Sequence, residues 1–402
     1  MPSEETSTSR CAEPVDRERK LYAGMKPLSR KVLLVGAGHA HLHVITHSSR
    51  LRTLGARVMV VDPGEFWYSG LATGMLGGMY APDEDRIDVR RLAVRSGVEF
   101  VPDRVVGIRS EERKVILSSG SDLSYDMVSF NIGSETELGQ LAVAPQAPGS
   151  HPTAEPRVWP AKPISNLASL RKHFIQGLAR GKGKAIVIGG GATGCEIAAN
   201  LVELAHRQDA SAEITLLSRS RRLLPDRPEG PSRSVTRALQ ERGVRVLLGT
   251  AAIRVAPHEV RCAEERVHRA DTVVLATGLR PPAILQQFGL SCSREGLRVQ
   301  NTLQSVDDPR IFGAGDCIDF NGRSLPKLGV FGVRQAPVLL ENLAASLAGR
   351  AMSVYHPQRS WLTILNLGRG EGLAMRGRFW WRGRLALRLK DQLDRKFLGR
   401  FR

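Results

Sequence analysis

Paired cysteines are missing from this sequence. Its 402 residues include five cysteines, at positions 11, 195, 262, 292 and 317, and no C-x-x-C spacing. This distribution argues against a disulfide framework and a thiolate metal site, and it favours a reducing compartment. An uncharged apolar run of spanning length is also missing, as is the apolar stretch of a signal peptide near the first residue. We therefore expect a cytoplasmic protein that does not cross a membrane.

Acidic residues are scarce beside basic ones. The chain has 40 Asp and Glu against 58 Lys and Arg, a formal net charge of +18. Residues 351–402 alone carry twelve Lys and Arg against three Asp and Glu, so an anionic partner surface is expected to meet the C-terminus. The apolar fraction of 42% is sufficient for two or three packed domains. Residues 1–30 show no periodicity and are predicted to form a disordered tail.

The first strong motif lies at residues 31–45, KVLLVGAGHAHLHVI. Its apolar run predicts a buried parallel strand, and the glycines that follow allow a tight turn close to a pyrophosphate. The helix after the turn would begin beneath the phosphates, with Asp62 placed to bind a ribose. His41 stands where G-x-G-x-x-G has its third glycine. The residues predicted at this site are Gly36, Ala37, Gly38, His39, Ala40 and Asp62.

A second copy of this pattern strengthens the interpretation of the first as a nucleotide-binding site. AIVIGGGATG at residues 185–194 is an apolar strand that leads into a complete G-x-G-x-x-G. Each copy is followed by another apolar strand that ends on glycine, at Gly133-Ser134 and at Gly278. Two nucleotide sites imply two dinucleotides. The residues predicted at the second site are Gly189, Gly191, Ala192, Thr193, Gly194 and Gly278.

The sequence of the second domain does not decide between NADH and NADPH. Its second strand ends at Ser218-Arg219 and continues to Arg222, with no acidic residue there. Arginines at this point favour the 2′-phosphate of NADPH, and a solvated basic loop is the equal alternative. Six prolines between residues 145 and 163 indicate a linker. The expected domains are 31–165 and 284–345 for the first nucleotide, 166–283 for the second, and 346–402 as a C-terminal region.

Two further stretches bear on redox chemistry. Residues 67–78 are predicted to form a glycine-rich loop, and no cysteine lies there to relay electrons. Residues 309–317 are predicted to form a strand that delivers Asp316 after Gly315, so that its carboxylate closely approaches a ligand. His43 and His47 are four residues apart on one helix face, but no third ligand has a matching spacing. No metal site is predicted.

With these motifs, residues 31–345 resemble the two-dinucleotide-binding flavoproteins. The resemblance implies an α/β fold of two Rossmann-like domains, with FAD at the first motif, NADH or NADPH at the second, and Asp316 on the ribityl chain of FAD. The segments GAGHAH, YSGL, AKPI, LLSR, GAGDC, PKLGVFGVRQ and LKDQLDRKF are similar to type II NADH dehydrogenase-like proteins. That subgroup includes the flavoprotein domains fused to selenophosphate synthetase.

The same resemblance implies catalytic residues. Glu196 matches a glutamate that faces the nicotinamide and flavin rings, and Lys327 and Gln335 match positions near the flavin pyrimidine edge and the quinone pocket. Lys327 would stabilise negative charge that develops on the flavin. Phe331 departs from the subgroup, which has glutamine there, and this leaves the acceptor open. The alternatives are that Glu196 pairs within its own helix and that Lys327 is solvated.

The implied activity is an FAD-dependent NAD(P)H dehydrogenase with a quinone-like acceptor. One alternative is a sulfide:quinone oxidoreductase-like enzyme, although the cysteine pair that this chemistry needs is missing. A second alternative is a non-catalytic flavoprotein or a nucleic-acid-binding protein that uses its basic end. No nucleic-acid partner is expected under the favoured hypothesis, and a homodimer is possible.

The C-terminus is predicted to be amphipathic. Residues 379–381 are Phe-Trp-Trp, and residues 384–402 are predicted to form a helix that places five apolar residues on one arc. The arc is interrupted by Lys390, Lys396 and Arg400, whose stems are expected to lie along apolar surface while their charged heads reach anionic phosphates. Two interpretations of this helix are open: it attaches to a membrane surface, or it packs against the flavin domain or a second subunit. The apolar residues of the arc are Leu385, Leu389, Leu393, Phe397 and Phe401.

Overall fold

The computed structural model describes residues 29–144, 158–263 and 265–402. Residues 1–28 of the predicted N-terminal tail and most of the predicted linker lie outside these residues, whereas Arg30 of the predicted tail begins a strand. In the described part of the chain, no helix is long and apolar enough to span a bilayer.

The first domain is built on a five-stranded parallel sheet. Residues 32–35 and 127–130 of its central strands are buried, as is typical of a parallel sheet covered on both faces, and this explains their uninterrupted apolar sequences. The helix His39–Thr46 packs against the long helix Gly329–Ala348, so residues from both ends of the sequence form one domain. The strand order is Ile311–Gly313, Met127–Phe130, Arg30–Val35, Ala56–Val61 and Glu99–Val101.

The second domain repeats this architecture. The apolar strand predicted before the second glycine motif is at its centre, with parallel partners on either side. Its edge strand Val158–Pro160 comes from the segment predicted as linker, because its backbone pairs with Thr272–Leu275 and Trp159 is buried. The strand order is Val158–Pro160, Thr272–Leu275, Lys184–Ile188, Glu213–Ser218 and Arg245–Leu248.

The described residues also form helices and smaller sheets. The α-helices are His39–Thr46, Ser49–Arg52, Ser69–Leu76, Val89–Arg95, Asn166–Leu178, Ala192–Arg207, Glu229–Glu241, Gly329–Ala348 and Arg384–Leu398, and the 3₁₀ helices are Ala283–Gln287 and Gly315–Cys317. The strands of the smaller sheets are Glu65–Trp67, Arg86–Asp88, Val105–Arg109, Lys114–Leu117, Asp122–Ser124, Glu135–Thr136, Ala142–Val143, Ala252–Ala256, Glu259–Cys262, Val267–Arg269, Leu279–Arg280, Cys292–Ser293, Gly296–Val299, Ile318–Phe320, Thr363–Asn366, Gly372–Arg376 and Phe379–Gly383.

The glycine-rich loop predicted at residues 67–78 is instead largely a helix, Ser69–Leu76. Leu71, Met75 and Leu76 of this helix are fully buried or nearly so. A β-carbon on Gly70 or Gly74 would collide with the rings of Tyr68 and Tyr80 respectively. These glycines therefore permit close packing, and sequence reasoning mistook them for signs of a loop.

The C-terminal helix Arg384–Leu398 packs on the antiparallel sheet of residues 363–383 and against the first domain. Its buried face differs from the predicted arc, because Leu385 and Leu393 are exposed. Lys390 is buried in an ion pair with Asp394, whereas its charged head was expected to reach anionic phosphates. The residues that the helix buries are Ala386, Leu387, Lys390, Asp394 and Leu398.

Candidate functional site

The first glycine turn packs against the side chain of Asn131. Gly36 has a φ of +79°, and a β-carbon on Gly38 would lie 2.5 Å from the Asn131 side-chain oxygen. That oxygen accepts hydrogen bonds from the N–H groups of Ala40 (2.9 Å) and His41 (3.2 Å), so Asn131 caps the helix. Sequence reasoning missed Asn131, although it lies at the end of a strand that was predicted.

His41 is a structural residue. It is completely buried, and its Nδ1 lies 2.6 Å from the carbonyl oxygen of Gly36, to which it donates because a carbonyl oxygen only accepts. Its Nε2 lies 2.8 Å from the hydroxyl of Ser129. Burial lowers the pKa of His41 to about 4, so the ring is neutral. The imidazole therefore fixes the turn at the place where the general motif has glycine.

Asp62 holds the same turn from the other side. Its carboxylate accepts hydrogen bonds from the N–H groups of Ala37 (2.9 Å) and Gly64 (2.8 Å). Burial raises the pKa of Asp62, and the two backbone hydrogen bonds oppose this shift. Asp62 thus stabilises both the glycine turn and its own Asp-Pro-Gly turn, and its contact with a ribose stays a prediction.

Asp316 and Ser134, predicted from separate motifs, lie together. The Ser134 hydroxyl donates to the Asp316 carboxylate over 2.7 Å, next to the turns of Gly133 and Gly315. The His39 ring packs against aromatic rings, 5.0 Å from that of Phe66. Burial lowers the pKa of His39 to about 4 despite the opposing charge of Asp316. The first site therefore presents one carboxylate beside a neutral imidazole.

Lys327 and Gln335 both support the turn that carries Asp316. The Lys327 ammonium donates to the carbonyl oxygens of Asp316 (2.9 Å) and Glu295 (2.8 Å), and its side chain is only 9% exposed, so it is not solvated. The Gln335 side-chain oxygen accepts from the N–H of Gly315 over 2.6 Å. Gln335 is completely buried, and its amide nitrogen has no partner among the described residues.

The second glycine turn leaves room for a ligand. Gly191 has an ordinary φ of −80°, and apart from its own chain neighbours no atom of the described residues lies within 4 Å of the position of a β-carbon there. The fold itself does not require glycine at this position, and the open space fits the close approach of a pyrophosphate. The helix Ala192–Arg207 begins at this point, and Thr193 is exposed in its first turn.

The basic loop of the second domain opens onto a groove of about 680 Å³. Ser218 is buried at the strand end, and Arg219 is exposed outside the residues that line the groove. Arg221 and Arg222 line it together with arginines of the helix Glu229–Glu241, which sequence reasoning missed. The basic residues of the groove are Arg221, Arg222, Arg233 and Arg237.

Glu196 lies where both domains meet the C-terminal region. Its Oε1 accepts hydrogen bonds from the backbone N–H of Asn366 (2.7 Å) and the hydroxyl of Thr73 (3.2 Å). Burial raises the pKa of Glu196, and the positive charge of Lys390 is the largest opposing influence. These contacts reach other elements, so the carboxylate does not pair within its own helix.

Lys390 and Asp394 extend this junction, and sequence reasoning assigned neither to the site. The Lys390 ammonium donates to the Asp394 carboxylate over 2.7 Å and also to the carbonyl oxygen of Gly70. The Tyr68 hydroxyl donates to the other Asp394 oxygen over 2.8 Å. Burial raises the pKa of Tyr68, and the charge of Asp394 raises it further. One lysine and one carboxylate thus tie the C-terminal helix to the first domain.

The described cysteines do not form a redox pair. All four are free, and Cys195 and Cys317 are completely buried. Burial raises the pKa of Cys317 to about 11 and shifts that of Cys195 in the same direction, so both are thiols. Within the same residues, no group of His, Cys, Asp and Glu has the arrangement of a metal site.

Each of the two domains has a parallel sheet and a glycine turn, and the domains meet at the buried carboxylate of Glu196. This arrangement is that of an oxidoreductase that binds two dinucleotides. The chain matches the Pyridine nucleotide-disulphide oxidoreductase family over residues 30–337, and it belongs to that family. Its cofactors are therefore FAD and NAD(P)H, as the family resemblance implied. The α/β fold with two Rossmann-like domains is likewise confirmed.

Curated relatives have several electron acceptors. The chain is 32% identical over 183 residues to the type II NADH:quinone oxidoreductase of Haemophilus influenzae, a match that spans 42% of this chain and 41% of the relative. It is 27% identical to the nitric oxide reductase FlRd-NAD(+) reductase of Aeromonas hydrophila, over 75% of this chain and 74% of the relative. These relatives do not support the narrower resemblance to selenophosphate synthetase fusions.

Solved structures share the fold. The structure of NDH2 from Plasmodium falciparum in complex with NADH has a TM-score of 0.75 at 13% identity and covers 93% of this chain and 97% of its own. A ferredoxin reductase from Rhodopseudomonas palustris has a TM-score of 0.70 at 21% identity and covers 86% of this chain and 82% of its own. At these identities the likeness shows the architecture alone.

Proposed function

We propose that the protein transfers hydride from NAD(P)H to FAD and then passes two electrons to a quinone-type acceptor. The observation that carries this proposal is the position of Glu196, at the junction of both nucleotide domains. FAD supplies the chemistry that couples a hydride donor to a separate acceptor. The similarity to the type II NADH:quinone oxidoreductase of Haemophilus influenzae supports the choice of acceptor.

The chain's own residues would bind and orient these cofactors. The space at Gly191 would admit the pyrophosphate of NAD(P)H, and Asp316 would accept hydrogen bonds from the ribityl chain of FAD. The ammonium of Lys327 holds the Asp316 backbone and would stabilise negative charge that develops on the nearby ring. Glu196 would face the two rings from the second domain.

The state of the thiols favours this activity over sulfide oxidation. Two cysteines placed for attack on sulfur would need thiolate character, whereas Cys195 and Cys317 are buried with raised pKa values. Electrons would therefore pass without a dithiol relay.

We also propose attachment to a membrane surface through the strand Phe379–Gly383. The side chain of Phe379 is 80% exposed and that of Trp381 is 41% exposed, on the same face of this strand. Aromatic rings of this kind favour the lipid headgroup region, and the surplus of basic residues after position 350 favours anionic lipid. Such attachment would bring a lipid-dissolved quinone to the protein.

An anaerobic titration tests the proposed reaction. The purified protein is expected to be yellow, to bleach with NAD(P)H, and to regain its colour with a quinone. Gly191→Val should fold and retain FAD but bleach at least about 100-fold more slowly, because the valine occupies the pyrophosphate space. Thermal unfolding checks the fold.

Gly189→Val contrasts with Gly191→Val, because it should disturb the fold rather than only the nucleotide site. A β-carbon there would collide with the Ala276 carbonyl oxygen, and the φ of +130° disfavours valine, so this protein should lose stability itself. Normal bleaching of the Gly191→Val protein, or a wild-type protein that holds flavin and ignores NAD(P)H, would rule out the proposed reaction.

A further inference from the structure

The helix Glu229–Glu241 lies between the basic groove of the second domain and the C-terminal sheet. One face of this helix lines the groove, because its lining residues recur every three or four positions. Other positions of the helix contact the strand Phe379–Gly383. The C-terminal sheet therefore touches the element that supplies two of the four groove arginines. The groove-lining residues of the helix are Glu229, Ser232, Arg233, Thr236, Arg237 and Gln240.

Glu241 ends this helix and holds two arginines at once. Its Oε1 accepts a hydrogen bond from the Nε of Arg237 over 2.8 Å, one turn back along the helix. Its Oε2 accepts a hydrogen bond from the guanidinium of Arg382, in the C-terminal strand, over 3.3 Å. The side chain of Arg237 lines the groove and is 80% exposed, so its charge is accessible to an anionic ligand. One carboxylate thus connects a groove arginine to the C-terminal strand.

Arg382 belongs to a charge network that is anchored in the protein interior. Its Nε lies 3.8 Å from a carboxylate oxygen of Glu371, and Glu371 in turn pairs with Arg242 over 2.8 Å. The side chain of Arg242 is only 4% exposed, and it also donates to the carbonyl oxygen of Ala238 over 2.7 Å. Single exposed ion pairs contribute little, whereas a network of alternating charges holds its members in position. Arg382 is therefore held beside Glu241.

Trp380 fixes the same strand near the start of the helix. A β-carbon on Gly230 would lie 2.8 Å from the indole nitrogen of Trp380, so the ring lies directly against the helix backbone. Trp380 and Arg382 are two residues apart and point to the same face of the strand, because side chains alternate along a strand. The strand thus contacts the first turn of the helix through an indole and its last residue, Glu241, through a guanidinium.

We propose that Arg382 is a positioning residue for the nucleotide groove: by sharing the charge of Glu241, it leaves Arg237 available to bind the 2′-phosphate of NADPH. The inference rests on the proposed function and on the expectation that arginines of the second domain bind this phosphate. Arg237 and Arg382 compete for one carboxylate. A Glu241 paired with Arg237 alone would cancel more of the positive charge that the groove presents to a phosphate. The C-terminal region in this way tunes nucleotide preference in another domain.

Equilibrium binding to the flavin-loaded protein tests the proposal without turnover. The probes are 2′,5′-ADP, which carries the 2′-phosphate, and 5′-AMP, which lacks it, and both are titrated by calorimetry at low salt. Arg382→Gln should weaken 2′,5′-ADP binding about fivefold, because Glu241 then pairs with Arg237 alone. Glu241→Gln should strengthen it about threefold, because Arg237 loses its counter-ion. Binding of 5′-AMP should change less than about twofold in both variants, and high salt should reduce both effects.

A double variant, Arg382→Gln with Glu241→Gln, separates this mechanism from a direct attraction between Arg382 and the phosphate. Once Glu241 is neutral, loss of Arg382 should change 2′,5′-ADP binding less than about twofold, whereas a direct attraction would weaken it equally in both backgrounds. Arg382→Lys keeps the charge and should bind within about twofold of wild type. Arg378→Gln is the matched control, because it removes an exposed arginine next to the strand that does not pair with Glu241.

The outcomes separate this inference from the proposed function. Equal weakening of both probes by Arg382→Gln, an effect of Arg382 that persists in the double variant, or weaker 2′,5′-ADP binding by Glu241→Gln would overturn the inference. If Arg382→Gln is unstable to heat, Glu241→Gln decides alone, because its expected effect has the opposite sign. A wild-type protein that bleaches with NAD(P)H but binds both probes equally would remove only the inference, and one that does not bleach would remove the proposed function as well.

Discussion

At the scale of single residues, His41 converts an imperfect motif into a stable turn. Its neutral ring joins the carbonyl oxygen of Gly36 to the hydroxyl of Ser129 inside the core. Because burial lowers its pKa to about 4, the unfolded chain binds a proton on this histidine at a pH where the folded chain does not. Its stabilising contribution is therefore present above pH 6.5 and is lost as the pH falls to about 4.

His41→Leu tests this linkage. The variant should lose about 2–3 kcal/mol of unfolding free energy at pH 7.5, since it leaves the Gly36 carbonyl without a partner. The difference from wild type should fall below about 1 kcal/mol at pH 4.5, because only the wild-type chain titrates at this position. Urea unfolding at the two pH values measures it. A difference that does not depend on pH would contradict the assignment, and His356→Gln, at an exposed position, should have no effect.

Single residues also show where sequence reasoning stops. Local pattern predicted the glycines of both motifs, Ser134 and Asp316 as cofactor residues, because each turn needs them within a few residues, and their contacts with cofactor stay predictions. Asn131 and Lys390 were missed as site residues, since their roles depend on partners far away in sequence, Ala314 and Gly70. The charged head of Lys390 was expected to reach anionic phosphates, because a lysine in an apolar arc can lay its stem along apolar surface, and its partner Asp394 was not considered.

At the scale of elements, the strands that precede the glycine turns were predictable because both faces of each strand are buried, which leaves an apolar run. The helix Ser69–Leu76 was not predictable in this way. Its glycines are required by the rings of Tyr68 and Tyr80 and by the Asn200 side chain beyond its end, and these contacts exist only in the folded chain. Glycine spacing alone does not distinguish a loop from a tightly packed helix.

The helix Glu229–Glu241 and the loop before it form the element that would select the pyridine nucleotide. Four arginines line their groove, so we expect a lower KM for NADPH than for NADH. Replacing Arg221 and Arg222 with glutamine should raise KM for NADPH about 30-fold and change KM for NADH less than threefold. Arg219→Gln is the matched control, because Arg219 lies outside the groove lining. An equal rise for both nucleotides would show that the arginines are ordinary surface charges.

At the scale of the whole molecule, the C-terminal region joins both nucleotide domains. Phe397 stacks on Tyr68 at 4.7 Å in the first domain, and Arg242 of the second domain pairs with Glu371 over 2.8 Å. Phe401 is buried, and Arg402 donates to the carbonyl oxygen of Glu84. One face of the C-terminal helix thus packs on the first domain, as one of the two interpretations of the sequence expected. Removing the chain after Arg378 would expose this interface. Membrane attachment must therefore be tested with substitutions on the exposed side.

Phe379→Ser combined with Trp381→Ser is the variant that tests attachment. Both side chains point away from the contact that Trp380 makes with Gly230, so their loss should leave the fold and the bleaching by NAD(P)H unchanged. Sedimentation with anionic liposomes at low salt should show at least about tenfold weaker binding, because apolar area and lipid charge act together. High salt should also weaken the binding of the wild-type protein to these liposomes. Val94→Ser, another exposed apolar position, is the control. If the intact protein does not bind liposomes at low salt, or if Val94→Ser weakens binding as much as the double variant does, the exposed strand is not a membrane surface.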